Sequence, residues 1–95
     1  MRNKHTGQKA VEWFLASEFP GWRIAPEPDK GGNGVLFRLF DQKGAPRHIL
    51  GVTDELLVNY ATAGDLRSFL SRLGVRERLG EQGGEAVWLL PTGWQ

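Results

Sequence analysis

The sequence predicts one small α+β domain, with helices packed against a mostly antiparallel sheet in the order α-β-β-β-α-α-β. Three observations predict it. A chain of 95 residues has room for a single two-layer core and buries roughly 60–65% of its unfolded surface. Apolar residues recur at helical spacing over 8–19 and 63–73, and at strand spacing over 35–40 and 47–52. Between them, the stretches 26–34, 41–46 and 80–84 are rich in Gly, Pro, Asp and Asn, the chemistry of loops.

The first helix is expected from Gln8 to Phe19, stopped by Pro20-Gly21. At about 100° per residue, Val11, Phe14, Leu15 and Phe19 share a sector roughly 140° wide, with Trp13 on the opposite side. Thr6 is its candidate N-cap. Glu18 falls inside the apolar sector and needs a partner or a route to water. A short strand follows at Trp22–Ala25, with Trp22 and Ile24 on one face. The clearest strand is Val35–Phe40, which sets Val35, Phe37 and Leu39 against Leu36, Arg38 and Phe40. Asp41–Pro46 supplies hairpin chemistry, and Arg47–Val52 is the partner strand. Thr53 caps a short helix over Asp54–Tyr60, with two acids in its first turn.

Thr62-Ala63-Gly64-Asp65 resembles a capping box with Asp in place of Glu. It opens a helix whose Leu66, Phe69, Leu70 and Leu73 keep the i, i+3, i+4, i+7 rule. Gly74-Val75 is the sequence of a Schellman ending. A polar turn over Arg76–Gly80 then leads to a last strand, Glu85–Leu90, ended by Pro91. The whole chain, 1–95, is one domain, with 1–6 as a flexible basic arm and 91–95 as a tail.

Composition removes several functions. The chain has no Cys, so disulfides, thiolate zinc sites and cysteine nucleophiles are absent, which suits a reducing cytoplasm. No apolar run approaches a membrane span, and the first residues lack the apolar stretch of a signal peptide. The two His, His5 and His48, make no metal-binding pair at ligand spacing. His48 alternates with Leu50 and Val52 and is expected at the margin of the core. Ser17, Ser68 and Ser71 lie within expected helices, away from any nucleophile elbow. The Gly31–Gly34 run leads into a strand rather than a helix, so it is a turn and not a phosphate cradle. No catalytic residue, metal site or cofactor is expected.

The helix–three strands–helix order resembles, in topology alone, that of double-stranded RNA-binding domains. Their last helix opens on a Lys cluster, whereas here it opens on Ala63-Gly64-Asp65-Leu66, which would repel phosphate. The same order resembles the core of PD-(D/E)xK nucleases. Glu12 could imitate their helix carboxylate, but Arg47–Val52 supplies neither acid nor Lys for metal-assisted chemistry.

Two surfaces remain as candidates. The strands around Leu36, Phe40, Ile49, Trp88 and Leu90 are apolar on both sides, which fits a sheet covered by helices on both faces or one with an exposed apolar face. Trp13 and Trp94 lie outside the expected core. These seven residues are the candidate anchors of a protein interface, since large aromatics dominate interface energies. The basic residues are concentrated in Arg2, Lys4 and Lys9 and in the region Arg67–Arg78. Arg2, Lys4, Lys9, Arg72, Arg76 and Arg78 are the candidate contacts of an alternative, nucleic-acid-associated reading. A net charge of only +1 and an acidic middle third weaken electrostatic capture of nucleic acid. The sequence therefore points to a small, non-enzymatic cytoplasmic protein of bacterial type that acts through a protein partner or as a homodimer, without membrane attachment.

Overall fold

A computed structural model gives the structure of the protein over residues 4–60 and 62–95. The elements are α1 (Lys4–Glu18), β1 (Arg23–Pro28), β2 (Gly34–Phe40), β3 (Pro46–Thr53), α2 (Asp54–Asn59), α3 (Ala63–Arg72), α4 (Val75–Gln82), β4 (Ala86–Leu90) and β5 (Gly93–Trp94). The strands form one sheet in the order β1-β2-β3-β4-β5. The first three make an antiparallel meander, and β4 and β5 are antiparallel to each other. The β3–β4 pair is parallel, because α2, α3 and α4 return the chain to the starting end of β3 before β4 begins. The α+β class holds, with one parallel pairing in an otherwise antiparallel sheet.

The core lies on one face of that sheet. Val35, Phe37 and Leu39 of β2, Leu50 and Val52 of β3, and Val87 and Leu89 of β4 are buried there. Against them pack Val11, Phe14 and Leu15 of α1, Leu56 and Leu57 of α2, Leu66 and Leu70 of α3, and Val75 and Leu79 of α4. All the helices thus spend their apolar stripes on the same face. Two-sided helical coverage, one of the two arrangements the sequence permits, does not occur among the described residues.

Local chemistry explains the helix starts. Thr53 accepts a bond from the Leu56 N–H, and Thr62 accepts one from the Asp65 N–H at 3.0 Å, each satisfying a first-turn amide. Gly74 takes a left-handed conformation at φ 63°, open to glycine without a Cβ penalty, and turns α3 directly into α4.

Four expectations are corrected. The first helix begins at Lys4 rather than Gln8, so residues 4–6 belong to it and Thr6 is not its cap. The Lys4 ammonium pairs with Asp54 at 2.8 Å, and the Gly7 backbone lies against the backbone of Leu57, tying this first turn to α2. Residues 1–3 of the expected arm lie outside the described residues. The first strand runs over Arg23–Pro28, later than Trp22–Ala25. Pro26 and Pro28 are compatible with it because β1 is an edge strand, where their missing N–H groups can face away from the ladder. The segment expected as a polar turn is helix α4, anchored by Val75 and Leu79 at i, i+4. The expected tail contains β5, whose Trp94 pairs with Leu89.

Candidate interaction surface

The strand register decides which side chains share the face opposite the core. Neighbours across a sheet point to the same side, so the rows can be read directly. Arg23 lies beside Phe40. Ala25, Arg38, Ile49 and Ala86 form the next row, and Glu27, Leu36, Gly51 and Trp88 the one after it. Leu90 follows two residues beyond Trp88. Five of the seven candidate anchors, Leu36, Phe40, Ile49, Trp88 and Leu90, are thereby brought onto one face. None of the five belongs to the buried core, and all are half-buried.

Gly51 arranges the middle of this face. A Cβ built there would stand 2.6 Å from Trp88 Cδ2, so the indole lies flat across the backbone of β3. A glycine inside a central strand leaves a gap, and the neighbouring aromatic fills it. The ring therefore covers the sheet while its outer surface is left to solvent.

Charges on the face are mostly neutralised within it. Arg38 Nε donates to Glu27 Oε1 at 2.7 Å, across β1 and β2. Arg47 Nε donates to Asp41 Oδ2 at 2.8 Å. That bond, followed by the Ala45 N–H, holds the Asp41 carboxyl below its ordinary value of 3.8. Arg23 is different: its guanidinium sits 4.2 Å above the Phe40 ring, a cation–π contact rather than an ion pair.

At the other end of the face is a cleft of about 510 Å³, lined by Asn33, Thr53, Glu55, Trp88, Leu90 and Gln95. Glu55 is exposed and, among the described residues, is the only charged side chain in its lining. Among the described residues it makes no ion pair.

Neither sheet edge offers a long run of free backbone groups. Asp29 donates to Gly34 O, so positions 23, 25, 27 and 29 of β1 face β2 and positions 24, 26 and 28 face outward. Two of those three outward positions are proline and have no N–H to offer a further strand. At the other edge β5 is only two residues long. Contacts through this sheet must be made by side chains of its open face.

The remaining candidates are dispersed. Trp13 stands on α1, 66% exposed, apart from the other anchors. Trp94 packs against the core from the helical side, and its Nε1 donates to Leu73 O at 3.2 Å. Of the basic residues, Lys4 pairs with Asp54 and Lys9 lies 4.0 Å from Glu12. The Arg78 guanidinium lies 5.9 Å from the Trp94 ring. Arg72 and Arg76 are exposed, and Arg2 lies outside the described residues. His48 is held at the core margin: it stacks on Trp22 at 5.8 Å, and its Nδ1 lies 3.0 Å from Gly83 O. Facing a carbonyl, that nitrogen must carry the proton and donate. Among the described residues no three His, Cys, Asp or Glu side chains group at ligand distance, and no helix is long and apolar enough to cross a membrane.

Sequence reasoning missed Gly51, Arg23 and Glu55. A glycine in the middle of an apolar strand was the available signal for the first. The other two join the surface only through strand register and loop packing. Comparison of the chain with protein-family models, with curated proteins and with solved structures gives no match.

Proposed function

We propose that this protein is a non-enzymatic interaction module that acts in the cytoplasm by docking the open face of its sheet onto a protein surface. One observation carries the reading: five large apolar side chains share a sheet face, and the buried side chains of the described helices pack on the other one. Contiguous apolar patches of this kind mark interfaces. Trp88 and Phe40 are the anchors, because rigid aromatics contribute most per residue at such surfaces. The blunted strand edges direct contact to the face.

The nucleic-acid reading has less support. Of the described candidate contacts, Lys4 and Lys9 face acidic partners and Arg78 lies against Trp94, which leaves Arg72 and Arg76 to track a phosphate backbone. Light scattering over a concentration series, with and without duplex and single-stranded oligonucleotides, tests both. The expected result is protein self-assembly that Phe40→Glu removes without loss of a cooperative melt. Unfolding of that variant would mean the face is buried after all. Oligonucleotide binding by a monomer, with a steep salt slope, would reverse the ranking.

A further inference from the structure

Among the described residues, the open face and the cleft at its end carry two charges that make no ion pair, and they stand at opposite corners. Arg23 begins β1, beside Phe40, at one end of the sheet. Glu55 lines the cleft with Trp88 and Leu90 at the other end, on the β4 side. The other charged residues of the strands on this face, Arg38 and Arg47, are paired with Glu27 and Asp41. From this arrangement we infer that the occupant of the face is a second copy of the chain, in a two-fold dimer that seats Arg23 of each protomer in the Trp88–Glu55 cleft of the other.

The inference rests on the reading of the open face as the working surface, and geometry takes it further. An isologous interface requires that if residue i touches j, then j touches i. A two-fold axis along one diagonal of the face exchanges the two other corners, so Arg23 and the cleft change places. The same axis crosses the strands of the two sheets near 90°, one of the two ways sheets pack face to face. Apolar side chains of β2, β3 and β4 then meet around the Arg38–Glu27 pair, which is neutral within each copy and adds no net repulsion between identical copies.

The cleft chemistry matches a guanidinium. Trp88 offers a π face, Glu55 a carboxylate, and Asn33, Thr53 and Gln95 offer oxygens able to accept the outer N–H groups. In the isolated chain Arg23 already rests on an aromatic ring, and the dimer offers it a second ring with an acid beside it. The open face spans roughly 19 by 20 Å, four strands by six residues, and its large apolar side chains lie on β2, β3 and β4. In projection that is about half of the ~800 Å² per partner typical of specific interfaces. The two corner contacts extend the contact area, and the expected dimer dissociates on dilution.

Sedimentation velocity on wild type, Arg23→Glu, Glu55→Arg and the double variant tests the register. Each single variant places two like-charge contacts in its homodimer and is expected to raise the dimer Kd about tenfold or more. Mixing the two single variants is expected to restore association, since their heterodimer has both contacts attractive, and the double variant is expected to recover as well. Both positions are exposed, and a thermal melt of each variant confirms folding. A monomeric wild type at all concentrations, or single variants that mixing does not rescue, would overturn the inference. If Trp88→Glu abolishes the dimer while the charge variants leave it intact, the Arg23–Glu55 pairing falls and the open-face reading stands. A dimer that survives Trp88→Glu overturns both.

Discussion

Substituting Gly51 by alanine tests the placement of Trp88. The new Cβ would stand 2.6, 2.7 and 2.8 Å from Cδ2, Cε2 and Cε3 of the indole, where carbon atoms in contact prefer about 3.5–4.0 Å. The ring must retreat by roughly 1 Å, and a gap of that size forfeits about a quarter to a half of each contact it opens. Overpacking of this kind costs about 1–3 kcal/mol. Alanine returns about 0.5–1 kcal/mol of the entropy glycine loses in a strand, so the net loss is about 1–2 kcal/mol, or a fall in Tm of roughly 5–15 °C. Thermal melts followed by tryptophan fluorescence measure it. In a Trp88→Leu background the same change should be neutral or stabilising, because the clash has been removed. An equally stable Gly51→Ala protein with wild-type tryptophan emission would refute the placement of the indole over β3.

Gly7→Ala should destabilise although it lies in a helix, because the added Cβ meets the Leu57 carbonyl and forces α1 from α2. In an exposed helix the change would gain about 1 kcal/mol, so a stabilised variant in denaturant melts would contradict this helix contact. Leu70→Ala, at a position with 0% exposure, should cost about 2–5 kcal/mol, whereas Arg72→Ala on the exposed flank should cost well under 1 kcal/mol, or about nothing; denaturant melts in the reverse order would overturn the phase of α3. Asp41 titrates below its ordinary 3.8 because Arg47 and the Ala45 and Lys43 amides bond its carboxylate. A depressed folded value stabilises the protein above the unfolded pKa and loses that contribution as pH falls through the folded one. The stability difference between wild type and Asp41→Asn should therefore be constant near neutrality and shrink only below about pH 4, as acid melts will report.

Where pattern and turn chemistry agreed, the fold was legible. The β2–β3 hairpin was readable because alternation in 35–40 and 47–52 flanks an Asp-to-Pro turn, and α3 because Thr62 caps an unbroken apolar stripe. Helix α4 was not readable: only Val75 and Leu79 of its eight residues are buried, and its order comes from tertiary packing rather than propensity. Pro26 and Pro28 looked like the end of a strand, but an edge strand can carry proline where a central one cannot. A two-residue strand such as β5 has no period to detect. The candidate surface was half legible. Two-sided apolarity singled out Leu36, Phe40, Ile49, Trp88 and Leu90, but alternation alone treats the faces alike, and only the helical layer decides which one is buried. Trp94 looked free because nothing in the sequence pairs it with Leu89 or Leu73.

Side-chain footprinting by hydroxyl radicals across a dilution series tests the open face most directly, since it reports each aromatic separately. Trp88 and Phe40 are expected to become protected as concentration rises, while Trp13, 66% exposed on α1, stays fully reactive at every concentration. Reactivity of Trp88 and Phe40 that does not change with concentration, or protection that appears at Trp13 instead, would contradict it.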